Sequence, residues 1–121
     1  MFGLKNFKQM KLPAVQKAIV PMTKITDYLL CLTHVNGQSK ARFFLNQGFC
    51  VADWQELAEA LKDLAQRNEV INVEKTPFGM RYVIDGKLNT PNQRNPFIRT
   101  VWFIEHEQTI PIFVTAYPQQ E

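Results

Sequence analysis

The chain has 121 residues, 45% hydrophobic and 21% charged, with 5 Gly, 7 Pro and 2 Cys. Those proportions exclude collagen, coiled coil and a disordered tail, and the length suits one domain, since chains divide at roughly 100–200 residues per domain. A domain of this size buries about two-thirds of its unfolded surface, so no disulfide or metal staple is required.

The longest uncharged runs, such as Phe43 to Ala52, contain polar residues and fall far short of the roughly 20 apolar residues of a membrane span. Met1 to Met10 carries Lys5 and Lys8 and no apolar run follows, so no signal peptide is read and a soluble, cytoplasmic protein is expected. Cys31 and Cys50 lack C-x-x-C spacing and lie between apolar neighbours, which predicts reduced core thiols and no metal centre or other cofactor. Net charge is +3. Residues 1–50 hold Lys5, Lys8, Lys11, Lys17, Lys24, Lys40 and Arg42 against Asp27 alone, a net +6. Residues 51–70 hold Lys62 and Arg67 against five acids, a net −3. A basic face of this kind attracts a polyanion and speeds encounter with it, although a basic arm also serves simply to keep a chain soluble.

In chain order, residues 1–12 read as a basic lead-in and 13–118 as a single domain. Ala14 to Val20, between Pro13 and Pro21, is too short for a stable helix and is read as extended chain or one turn. Thr23 then caps a short helix with Ile25, Tyr28, Leu29 and Leu32 at helical spacing, broken by Thr33 to Gly37. A second helix runs from about Ser39 through Phe44 and Leu45 to Gly48, the residue type expected just past a helix end. The clearest helix starts at Asp53, with Glu56 completing a capping box. Trp54, Leu57, Ala58, Leu61 and Leu64 follow on one face, and it ends near Asn68.

From Glu69 the apolar period shortens to 2. Val70 to Val73, Met80 to Ile84, Ile98 to Ile104 and Ile112 to Tyr117 read as strands, separated by turn-forming stretches. Asp85-Gly86 suggests a tight hairpin pairing Met80 to Ile84 with a short strand around Leu88. The fold class is therefore α+β, with N-terminal helices on one face of a C-terminal antiparallel sheet of about four strands.

Such a sheet shows alternate side chains to water on its uncovered face. In the last strand Ile112, Val114 and Ala116 form the natural core set, and Phe113, Thr115 and Tyr117 the open one. If Val101 and Phe103 join the core, Thr100 and Trp102 lie beside Thr115 and Phe113 on the open face. A slip of one residue reverses this, so Arg99 and Thr100 are both carried as candidates.

Several segments carry a resemblance: Thr33-His34-Val35-Asn36-Gly37-Gln38-Ser39-Lys40-Ala41-Arg42-Phe43-Phe44, Gly48-Phe49, Arg99-Thr100-Val101-Trp102 and Val114-Thr115-Ala116-Tyr117-Pro118. Together they resemble a bacterial family of unknown function with an H-P-x-G-x-x-K-A-x-F segment and closing R-T-x-W and V-T-A-Y-P motifs. The resemblance spans about residues 12–118, with Val35 in place of the usual Pro. Members of that family occur alone and as C-terminal domains of large secreted toxins. Their order of elements is similar to that of metal-independent ribonuclease toxins of the barnase, EndoU, colicin and RelE type.

The resemblance implies a small metal-independent endoribonuclease, the toxin of a toxin–antitoxin or toxin–immunity pair, with RNA and a cognate antitoxin or immunity protein as partners. The alternative is a non-catalytic RNA- or protein-binding module, or an antitoxin or immunity protein. Cleaving RNA without a metal needs a base for the 2′-hydroxyl, a cation for the phosphate and an acid for the 5′-oxygen. His34 suits either proton transfer, and Lys40 lies in the first turn of a helix, where free N–H groups also attract phosphate. Arg99 offers a two-pronged clamp, and Thr115 and Tyr117 offer hydroxyl donors. Thr100, Trp102 and Arg81 are the candidate substrate-binding residues, with Trp102 or Tyr117 stacking on a base and Arg81, with Lys75, extending a phosphate track.

Overall fold

The computed structural model describes residues 10–121, so most of the basic lead-in, including Lys5 and Lys8, lies outside the described residues. Between the prolines, Val15–Lys17 forms one 3-10 turn, as their spacing requires, and Ile19 then bridges to Ile112. The first helix, α1 (Met22–Lys24), continues into a π-helical turn, Ile25–Leu29. Pro21 occupies its N-cap with extended backbone, so Thr23 lies inside the helix and caps nothing. The turn is one residue wider than an α-helical one: the Leu30 N–H reaches back five residues to the Ile25 carbonyl at 2.8 Å. Ile25 and Leu29 are therefore buried, Tyr28 is half-buried between layers, and Leu32, expected on the apolar face, is exposed.

The second helix, α2 (Gln38–Asn46), starts one residue before Ser39. Gly37 is the N-cap, with no side-chain cap, and Gly48 follows the helix with φ of 100°. The third helix, α3 (Trp54–Arg67), buries Leu57, Ala58, Leu61, Leu64 and Ala65, the stripe its 3.6-residue period specifies. Asp53 sits at its N-cap without a side-chain cap bond, so the capping box does not form. At its other end the Asn68 carboxamide donates to the Leu64 carbonyl at 2.9 Å, satisfying one of the free acceptors of the last turn. No helix among the described residues is long and apolar enough to cross a membrane.

Four strands follow: β1 (Val70–Thr76), β2 (Gly79–Lys87), β3 (Phe97–Glu105) and β4 (Ile112–Pro118). They form an antiparallel meander in the order β1-β2-β3-β4. The three helices precede the sheet and share one core with it, as the change of period predicts. Asp85-Gly86 makes no hairpin. The strand passes straight through, with Asp85 opposite Arg99 and Gly86 opposite Ile98. The absence of a Cβ at Gly86 leaves room for the Asn68 carboxamide that caps α3, which a side chain there would displace.

Core packing decides the register that alternation alone leaves open. Ile98, Thr100, Trp102 and Ile104 point into the core, whereas Arg99, Val101 and Phe103 take the other face. In β4 the ladder skips Val114, pairing Val101 with Thr115 but Trp102 with Phe113. This bulge sends both Phe113 and Ala116 inward and leaves Thr115 and Tyr117 outward. Trp102 and Phe113 meet edge to face at 5.3 Å in the core. Both cysteines are free thiols, but Cys50 is exposed and Cys31 half-buried, so neither is the core thiol its neighbours suggest.

Candidate functional site

The helical layer meets the sheet again at the outward edge of β4, and several polar side chains converge there. Tyr28 is the hub. Its hydroxyl shares a hydrogen bond of 2.8 Å with Thr115 Oγ1 and accepts one of 2.7 Å from Lys40 Nζ. Lys40 Nζ also stands 5.9 Å from the centre of the Tyr117 ring, and Lys24 Nζ lies 5.4 Å from the centre of the Tyr28 ring. The His34 ring packs edge-on against Tyr28, centroid to centroid 5.0 Å.

Local chain geometry explains why these groups meet. The π-turn carries Tyr28 out of the fully buried stripe, and the loop after it folds back so that Gly37 covers the ring. A Cβ on Gly37 would stand 2.9 Å from Tyr28 Cδ1, so this close approach is open only to glycine. Gly37 also begins α2, which sets Lys40 within the first helical turn. His34 is held by its neighbour, its Nδ1 accepting the Asn36 main-chain N–H at 3.1 Å.

Burial alone would raise the Tyr28 phenol, yet the hydrogen bonds from Lys40 and Thr115, with the charges of Lys40 and Lys24, outweigh it. The phenol is held below its ordinary value of 10.0. The Cys31 thiol, in the same loop, is lowered chiefly by its hydrogen bond with the Thr33 hydroxyl.

Arg99 continues the cluster across the sheet, as the cross-strand partner of Tyr117. Its fork, however, is already filled: Nε and Nη2 bind the two Asp85 oxygens at 2.9 and 3.0 Å. That pair raises the guanidinium further and fixes its plane, so the two-pronged clamp expected for a ligand holds Asp85 instead.

Five sequence-predicted residues, His34, Lys40, Arg99, Thr115 and Tyr117, thus lie around one edge of the sheet. Thr100 and Trp102 do not, and this corrects their expected place on the open face. Both are completely buried. The Thr100 hydroxyl donates to the Ile84 carbonyl at 2.9 Å and accepts the Trp102 indole N–H at 2.9 Å. Every polar atom of the pair thereby has a partner, which is why the core tolerates it. Arg81 is on the outward face of β2 but pairs with Glu74 at 3.5 Å and lies four residues along the strand from Asp85, roughly 13 Å away.

Tyr28 is the residue that sequence reasoning assigned to packing alone. A clue was present: it is the only tyrosine in the helical half, and a phenol placed at a core boundary needs a polar partner. A cleft of about 460 Å³ lies elsewhere, at the Gly79 end of β2 between Met80, Tyr82, Ile104 and Pro13, and another of about 510 Å³ lies beside Leu12, Val15 and Thr109. Of the residues expected at the site, only Lys75 of the phosphate track lines either cleft; His34, Lys40, Arg99, Thr115 and Tyr117 line neither.

Among solved structures, the chain is similar to one chain of a contact-dependent growth inhibition toxin–immunity protein complex from Klebsiella pneumoniae 342. The TM-score is 0.69 at 12% sequence identity, over 88% of this chain and 97% of that one. At that identity the likeness is one of fold. No curated protein matches the chain. The family model for DUF6883, a domain of unknown function, matches residues 11–120, and the chain belongs to that family.

Proposed function

We propose that this protein is a metal-independent endoribonuclease, the toxin member of a toxin–immunity or toxin–antitoxin pair. The observation that carries the reading is the meeting of Lys40, Tyr28, Thr115, His34 and Tyr117 at one edge of the sheet. An RNA phosphate seated there meets the Lys40 ammonium, which has no carboxylate within 4 Å among the described residues, together with the Tyr28, Thr115 and Tyr117 hydroxyls and the His34 imidazole. Tyr117 presents a ring for stacking at the same edge.

The fold shared with a chain of a toxin–immunity complex supports placing the protein in such a pair, as does the net +6 of residues 1–50. The partner is then a protein of acidic character that covers the β4 edge.

The test is incubation of the purified protein with total RNA in EDTA. Cleavage leaving 2′,3′-cyclic phosphate ends, abolished in Lys40→Ala and His34→Ala, supports the reading, and growth arrest on expression without a partner supports the toxin assignment. No cleavage at high protein concentration discards the enzyme. One observation favours a second reading, a non-catalytic RNA- or protein-binding module: Asp85 already occupies the Arg99 fork. That reading predicts salt-sensitive RNA binding or a tight protein partner, with the RNA left intact.

A further inference from the structure

Within the endoribonuclease reading, on which this step rests, we infer that Tyr28 takes the proton of the attacking 2′-hydroxyl and that Lys40 is its proton-exchange partner.

The hydrogen-bond pattern around Tyr28 is one that serves a phenolate. Lys40 Nζ can only donate to the phenol oxygen, at 2.7 Å, and the Thr115 hydroxyl can turn to donate as well, at 2.8 Å. Lys24, on the same helical segment, adds a second positive charge near the ring. Asp27, the carboxylate next in sequence, is exposed and is engaged by the Thr26 hydroxyl. From the other elements, His34 faces the ring from the loop, and Tyr117 of β4 faces Lys40.

His34 is arranged differently. Its Nδ1 accepts the Asn36 main-chain N–H, so it presents a lone pair there and carries its proton on Nε2 when neutral. Protonating Nδ1 would set one N–H against another. The imidazole therefore offers the site a hydrogen-bond donor, suited to a non-bridging phosphate oxygen, and not a base.

The step balances without another reactant. The Tyr28 phenolate takes the 2′-hydroxyl proton as the 2′-oxygen bonds to phosphorus. The bond from phosphorus to the 5′-oxygen breaks, and that oxygen takes a proton from the Lys40 ammonium. The phenol then passes its proton to the neutral amine across their 2.7 Å bond, restoring the phenolate–ammonium pair.

The experiment measures cleavage of a fluorescent single-stranded RNA against pH, beside an ultraviolet titration of the tyrosine phenols in the same full-length protein. In the wild type, cleavage rises with pH along a limb whose midpoint matches a phenol titrating below the ordinary tyrosine range. Tyr28→Phe, which keeps the ring, loses about 10²–10⁴-fold in rate and loses that phenol. Lys40→Met, which leaves Tyr28 in place, moves the phenol upward.

Cleavage by Tyr28→Phe at a near wild-type rate, or a rising limb erased by His34→Gln but kept by Tyr28→Phe, overturns the inference while the nuclease reading stands. A wild-type protein that cleaves no RNA overturns both.

Discussion

Thr100→Val removes one hydroxyl with little change of shape, and the cost can be worked from the partners that hydroxyl serves. Thr100 is completely buried, its oxygen is the acceptor for the Trp102 indole N–H, and its proton goes to the Ile84 carbonyl. The variant leaves the indole donor buried without a partner and takes one hydrogen bond from Ile84. An orphaned buried donor costs about 1–3 kcal/mol and a lost neutral hydrogen bond about 1 kcal/mol, so stability falls by about 2–4 kcal/mol. For a chain of this length, that lowers Tm by about 8–15 °C.

Urea unfolding of wild type, Thr100→Val, Trp102→Phe and the double variant tests the assignment. In the double variant the orphaned indole is gone, so its cost falls short of the sum of the singles by about 1–2 kcal/mol. Additive costs, or a Thr100→Val variant within about 0.5 kcal/mol of wild type, refute the inward placement. RNA cleavage that collapses in a fully stable Thr100→Val protein would return Thr100 to the substrate face.

The geometry sets three further outcomes. Asp85→Ala leaves the Arg99 guanidinium without its carboxylate at 29% side-chain exposure and costs about 1–2 kcal/mol in denaturant unfolding, water access keeping the loss below that of a sealed pair. Asp63→Ala, which breaks an ion pair of Arg67 at 41% and 44% exposure, costs no more than about 0.5 kcal/mol in the same assay. Gly37→Ala sets a methyl against the Tyr28 ring; it is expected to lower RNA cleavage by more than tenfold, roughly the scale on which misplaced catalytic groups fail, and unchanged kinetics would show that Tyr28 need not be held there.

The change of apolar period at Glu69 was readable along the chain, and it determined helices first, then an antiparallel meander. The stripe Leu57, Ala58, Leu61 and Leu64 likewise determined the long helix and its buried face. Local signals read in isolation did less well. Asp85-Gly86 has the composition of a turn, but β2 runs through it because Asp85 meets Arg99 across the ladder and the bare Gly86 leaves the Asn68 carboxamide its place at the end of α3. Ser39 and Asp53 have capping side chains whose cap bonds do not form.

The candidate site divides in the same way. His34, Lys40, Thr115 and Tyr117 could be named from residue type and segment, since each brings a proton-transfer, cationic or hydroxyl group to a stretch expected at the surface. Tyr28, Thr100 and Trp102 could not, because a phenol, a hydroxyl and an indole are equally at home in a core or at a site, and only their partners decide. Those partners come from distant segments: Thr115 is 87 residues from Tyr28, and Ile84 is 16 from Thr100. The bulge at Val114 is of the same kind, since one skipped residue reverses which side chains face water, and no periodicity along a single strand records the neighbour that forces it.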